Sequence, residues 1–182
     1  RKKDLERRIK ILEKSDLYKD QQELKKLDQK HTLGKISFDS VMIIDFGERL
    51  KSVLTSFMFA DISNKEVTFF SINQWFDKTF FNENALENLH FPSINLKKLT
   101  KYNKKYLDTF GKNSHDISIL AYDALGLIYY CWSNNDYQFK ADSLYNKKGF
   151  EGLHGEFIIE NNLSKHKLEI YKVSEKKFIK VY

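Results

Sequence analysis

Between residues 38 and 72 the sequence changes pattern in a way that few folds accommodate. Phe38-Asp39-Ser40-Val41-Met42-Ile43-Ile44 ends in an unbroken apolar run, the pattern of a strand covered on both faces. Asp45-Phe46-Gly47 stops it. Leu50, Val53, Leu54, Phe57 and Met58 then recur at helical spacing, which predicts an amphipathic helix. After a polar turn at Ser63-Asn64-Lys65, the stretch from Val67 to Ile72 predicts a second buried strand. Strand, helix, strand at this length is a βαβ unit, with its two strands parallel and a right-handed crossover. In open α/β sheets ligands collect beyond the carboxyl ends of such strands. Asp45 and Phe46 lie at that end of the first strand, and Asn73, Gln74 and Trp75 at that end of the second. These five are the candidate ligand-binding residues, since a carboxylate, two amides and two aromatic faces can hold a small polar solute. The competing reading is structural, with Asp45 capping the helix and Trp75 packing under its loop.

The rest of the chain divides around this unit. Residues 1–35 are expected to form an exposed basic helical segment. Leu5, Ile9, Leu12, Leu17, Leu24 and Leu27 leave only a thin apolar stripe there, with a break and a new N-cap near Ser15-Asp16. Residues 36–92 make the βαβ core, in which 73–88 is a loop and Leu89-His90-Phe91 runs into Pro92 as a connector or strand end. Residues 93–135 hold two helices. The first is marked by Leu96, Leu99, Tyr106, Leu107 and Phe110 and stops at Gly111. The second, capped by Ser114 or Asp116, carries Ile117, Leu120, Ala121, Ala124, Leu125 and Ile128 around most of its circumference, which predicts a core helix. Residues 136–182 close the chain with short β stretches at 156–159, 168–173 and 178–182, separated by turns at Asn161-Asn162 and Ser174-Glu175-Lys176.

Composition narrows the function classes. At 182 residues and 41% hydrophobic, the chain is long enough for one well-buried globular domain. No apolar run reaches the ~18 residues of a membrane span; the closest, 117–132, is interrupted by Asp123. The net charge of +6 concentrates in residues 1–35, with 12 basic against 7 acidic side chains. Of the 31 basic residues 27 are Lys and only 4 are Arg, the reverse of what nucleic-acid and phosphate sites favour. A solvated helix face is therefore expected, and no nucleic-acid partner. The single cysteine, Cys131, excludes a disulfide framework and a multi-cysteine metal site, and in an apolar helix beside Trp132 it reads as a small core residue. Neither G-x-G-x-x-G, G-x-S-x-G nor H-E-x-x-H occurs. Glu151, His154 and Glu156 come nearest to a metal cluster, but Gly152 and Gly155 make that stretch a structural turn. No catalytic residue, metal or cofactor is expected, and the protein is expected not to be an enzyme. The chain opens on Arg1 rather than methionine and shows no signal peptide, so it is expected to be an internal or C-terminal piece, and a missing address carries no weight.

Four segments carry a family resemblance. Phe38-Asp39-Ser40-Val41-Met42-Ile43-Ile44-Asp45-Phe46-Gly47-Glu48-Arg49-Leu50 resembles the "FDAVFL.D.G.RL" strand-to-helix segment of type I periplasmic-binding-protein-like proteins. Ser71-Ile72-Asn73-Gln74-Trp75-Phe76-Asp77 is similar to the "GTSLWDD" segment after the next strand. Ala121-Tyr122-Asp123-Ala124-Leu125 matches the "AYDA" helix of branched-chain amino-acid binding proteins and their relatives. Gly149-Phe150-Glu151-Gly152-Leu153-His154-Gly155 is similar to "GF.GV.G", which leads into the closing hairpin of that fold.

The resemblance implies an α/β fold of two lobes around a cleft. This chain would supply only its C-terminal half: a parallel-sheet, Rossmann-like lobe, with 93–135 returning to the other lobe and a β-hairpin-rich end. Helices 95–110 and 115–132 would then expose apolar surface in this half alone. The Trp-Asp version of the second segment resembles penicillin-binding-protein activators, envelope lipoproteins that stimulate peptidoglycan synthases. That implies a periplasmic or cell-envelope location, a synthase partner, and membrane contact only through a lipid anchor upstream. Amino-acid binders of this fold place an acidic residue after the second strand and an aromatic after the first. Here Asn73-Gln74-Trp75 stands at the second position with Asp77 further on, while Asp45-Phe46 keeps the aromatic. A regulator of peptidoglycan synthesis is thus the first expectation. The alternative is a periplasmic substrate-binding protein that delivers amino acids or another small polar solute to an ABC transporter.

Overall fold

The structure is a computed structural model that describes residues 1–72 and 76–182. It comprises two compact units, Arg1–Phe91 with Lys172–Ile179 and Pro92–Tyr171 with Lys180–Tyr182, so the chain passes from one to the other three times. Among the described residues no helix is long and apolar enough to cross a membrane.

The first unit opens with two helices, α1 (Lys2–Leu12) and α2 (Tyr18–Leu27). Their stripe buries Leu5, Leu12 and Leu27 against each other, flanked by Ile9, Leu24 and Leu33. Arg8 grips Glu23 across the pair with two 2.9 Å bonds. The N-cap of α2 is Leu17 rather than Ser15 or Asp16. Ser15 instead bonds the Asp20 carboxylate, and its Oγ accepts the Leu17 N–H at 3.4 Å. Asp61 fastens this segment to the remainder of the unit, its carboxylate accepting the His31 and Thr32 N–H groups and the Thr32 hydroxyl. Burial raises the Asp61 pKa, yet these bonds outweigh it and hold the carboxyl below its ordinary value.

Strand β1 (Ser40–Ile43), helix α3 (Gly47–Phe59) and strand β2 (Thr68–Ser71) form the expected βαβ unit. The strands are parallel, with Val41 opposite Phe69 and Ile43 opposite Ser71. A third strand, β3 (His90–Ser93), pairs parallel to β2 through Phe70 and His90. Leu50, Lys51 and Leu54 of α3 are buried, as are Ile43, Phe69 and Phe91 of the sheet. Coverage of β1 on both faces does not hold: Met42 is 63% exposed, and its neighbour Phe70 is partly exposed. The cause is an open face: Met42 and Phe70 lie on the side of the sheet opposite the buried Ile43, Phe69 and Ser71, in a sheet of order β1-β2-β3-β7-β8, where β7 is Glu169–Ser174 and β8 is Lys177–Lys180. The 73–88 loop includes two short 3₁₀ turns, Lys78–Asn82 and Asn84–Leu86, which bury Phe80, Ala85 and Leu86. Phe91 meets Phe80 and Phe178 edge-on at 6.5 and 5.9 Å, giving this unit an aromatic core.

The second unit contains α4 (Leu96–Phe110) and α5 (Asp116–Ser133). Asn95 caps α4 by accepting the Lys98 N–H at 3.0 Å, and Gly111 ends it at φ 66°. The cap of α5 is His115, whose Nδ1 accepts the Ile117 N–H at 3.4 Å. The expected core helix is corrected here. Ile119 and Cys131 are buried while Ile117, Leu125, Ile128 and Tyr129 are exposed, so α5 packs through a stripe at i, i+4, i+8 and i+12 only. An antiparallel sheet completes the unit: β4 (Phe150–Gly152), β5 (Gly155–Glu160) and β6 (Leu163–His166). Neither β4 nor β6 is evident from residue patterning, because one is three residues long and the other alternates little apolar character. Asn161 and Asn162, at φ 51° and 62°, supply the left-handed pair that a tight hairpin needs.

Candidate functional site

The sheet brings the carboxyl ends of β1 and β2 side by side, where the sequence places the candidate ligand residues. Ser71 at the end of β2 donates its hydroxyl to the Ile43 carbonyl at 3.1 Å and reaches the Asp45 carbonyl at 3.3 Å. That contact fixes where the chain leaves β1. Gly47 takes φ 51° to begin α3, a conformation that a side chain rarely adopts. The Asp45 carboxylate accepts the Phe46 N–H at 2.9 Å, and Phe46, the N-cap residue of α3, is 57% exposed. Asp45 and Phe46 thus stand together on the rim. Asn73, Gln74 and Trp75 lie outside the described residues.

The charges of Asp77, Lys51 and Glu48 near this rim are committed to the fold. Asp77 caps the 3₁₀ turn by accepting the Thr79 N–H at 2.8 Å. Lys51, buried on α3, donates to Glu48 and to the Thr79 hydroxyl, both at 2.8 Å. The bond to Glu48 overcomes burial and pushes the Lys51 ammonium above its ordinary pKa. These bonds lock α3 to the loop after β2.

The second unit holds a separate constellation that joins two of the motif segments. The Asp123 carboxylate accepts the Leu153 and His154 N–H groups, each at 2.7 Å. Gly152 makes this possible: a Cβ there would lie 2.6 Å from Asp123 Oδ2. The sequence offered a signal, a single acid interrupting an apolar helix, but its partner lies some thirty residues on in a glycine-bounded turn. Glu151 bonds Lys98 at 2.7 Å, which holds its carboxyl below the usual range. His154 and His166 face each other, Nδ1 to Nδ1, at 3.2 Å, and burial lowers the pKa of both. Glu156 reaches Lys167 at 3.4 Å. The triplet Glu151, His154 and Glu156 therefore divides among three partners. Cys131 is fully buried, and burial pushes its thiol pKa up.

Parallel strands whose carboxyl ends lie side by side, three crossings between units, and a glycine-bounded hairpin held by the helix aspartate define a class. The chain has the type I periplasmic-binding-protein-like fold. It is similar to an ABC transporter substrate-binding protein from Desulfitobacterium hafniense, with TM-score 0.57, 17% identity, and 92% of this chain aligned to 49% of that one. The leucine binding protein LivK from Thermotoga maritima gives 0.54 at 16% identity, covering 79% of this chain and 44% of that chain. The C-domain of LpoA from Haemophilus influenzae, a regulator of PBP1A, gives 0.52 at 12% identity, covering 80% and 45%. The chain spans about half the length of these three structures. Their descriptions are of binding or regulatory proteins. No protein-family model matches the chain, and no curated protein sequence is significantly similar to it.

Proposed function

We propose that this chain is one half of a two-lobed, non-enzymatic cell-envelope protein that regulates peptidoglycan synthesis by binding a synthase. The observation that carries this reading is the engagement within the fold of two acidic groups near the rim, Asp77 and Glu48. A solute with an ammonium group needs a carboxylate available to it. Asp77, the acid that follows β2, is engaged as a helix cap, and Glu48 is engaged by Lys51. The edge retains an exposed aromatic, which suits a protein contact better than an amino-acid ligand. The fold-level similarity to the LpoA C-domain supports the same direction. A pull-down with the full-length protein and purified penicillin-binding proteins should retain a synthase; recovery of none would count decisively against this function.

A second reading rests on the exposed Phe46 beside Asp45 at the rim. The protein would then be a receptor delivering a small polar solute to a transporter, with Asp45, Phe46, Asn73, Gln74 and Trp75 touching the ligand. Solute at 100 times its Kd stabilises a protein by about 2.7 kcal/mol. A thermal-shift screen of the full-length protein would reveal it, and a midpoint that no solute moves removes this alternative.

A further inference from the structure

A cavity of about 730 Å³ lies within the second unit, walled by α4, α5 and the β4–β5 hairpin, well away from the rim residues in sequence. Its volume falls within the range of small-molecule sites. One wall is cationic. Lys98, Lys101 and Lys105 recur on α4 at i, i+3 and i+7, a row roughly 10 Å long at 1.5 Å per residue. Lys98 is held by Glu151, whereas Lys101 and Lys105 have no ion-pair partner among the described residues. The facing wall is aromatic. Tyr122, Gly126 and Tyr130 recur on α5 at i, i+4 and i+8, so two tyrosines stand about 12 Å apart with a glycine between them. Both residues are about half exposed, each ring meeting one aromatic neighbour edge-on, Tyr122 with Tyr102 at 5.5 Å and Tyr130 with Phe150 at 5.8 Å, and neither hydroxyl has a hydrogen-bond partner among the described residues.

Gly126 is the revealing position. Glycine inside a helix costs about 1 kcal/mol relative to alanine. Nothing lies within 4 Å of the Cβ that a larger residue would place there, so packing within the chain does not require it. It leaves an open floor between the two tyrosines. We propose that this slot binds an acidic saccharide, with a pyranose ring over Gly126 between Tyr122 and Tyr130 and its carboxylates on Lys101 and Lys105. Tyrosine faces and free hydroxyls suit sugar C–H faces and hydroxyls. Two unpaired lysines in place of arginines match a sparsely charged ligand better than a phosphate backbone. Saccharide binding here does not depend on the synthase reading and survives its failure.

The test is calorimetric titration of the full-length protein with trigalacturonate, with maltotriose and a ten-residue oligothymidylate as comparators. Trigalacturonate should bind at least tenfold more tightly than maltotriose. K101E/K105E and Gly126→Leu should each weaken it tenfold or more while the far-ultraviolet circular dichroism stays unchanged. Gly126→Leu fills the slot with a good helix former, so unchanged circular dichroism and an unchanged thermal midpoint separate lost binding from lost folding. Absence of trigalacturonate binding, binding that both variants leave intact, or tighter binding of the oligonucleotide would each overturn the proposal.

Discussion

Asp123→Ala removes a carboxylate that accepts two backbone N–H groups at 2.7 Å, those of Leu153 and His154. Hydrogen bonds to charged groups contribute about 1.5–3 kcal/mol each, so the pair is worth roughly 3–6 kcal/mol gross. Asp123 is half-buried, and water replaces part of each bond in the variant. A loss of about 2–3 kcal/mol in the second unit is expected. Amide hydrogen exchange reads this directly, with Leu153 and His154 exchanging about 30- to 150-fold faster. Gly152→Ala supplies the control. Its three nearest obstructing atoms all belong to Asp123, the closest at 2.6 Å. In the parent chain the new methyl should therefore cost about 1–3 kcal/mol. With Asp123→Ala already present it should cost little, a coupling of about 1–3 kcal/mol. Equal costs in the two backgrounds, or unchanged exchange at Leu153 and His154, would refute the claim that the aspartate organises the hairpin.

Other outcomes rest on the same geometry. Gly126→Ala should raise the urea midpoint by an amount equivalent to about 1 kcal/mol, since the site is helical and its surroundings are open. Burial raises the Glu169 pKa, but hydrogen bonds from Lys180, Tyr171 and Asn95 prevail and hold it at about 2. Because that folded value is depressed, the stability it contributes is present above the unfolded value and lost as pH falls from about 4.5 toward 2. An acid titration should show that loss, and Glu169→Gln should abolish it. Leu125→Lys, at a position 69% exposed, should change stability by less than about 0.5 kcal/mol yet reduce binding of a hydrophobic dye.

The sequence made the βαβ unit legible because its strands are apolar runs and its helix keeps a clean 3.6-residue period. Burial was less legible. Nothing in Ser40 to Ile43 reveals that one face of the sheet stays open, so Met42 reads as internal. Composition alone made α5 a core helix, whereas packing uses one stripe through Ile119, Asp123, Leu127 and Cys131. The resemblance had implied exposed apolar surface on these helices, and Leu107, Phe110 and Leu125 show it. The apolar run that stops at Ile44 made it legible that Asp45 and Phe46 follow the carboxyl end of β1. The role of Asp123 was hidden because its two partners are backbone N–H groups, which no side-chain pattern encodes.

Binding of a synthase stands at the centre of the proposed function. Purified full-length protein titrated against a bifunctional peptidoglycan synthase from the same organism should bind with a Kd of about 1 µM or tighter, some 8 kcal/mol, and accelerate glycan polymerisation. Binding no tighter than about 1 mM, with an unchanged polymerisation rate, would contradict it.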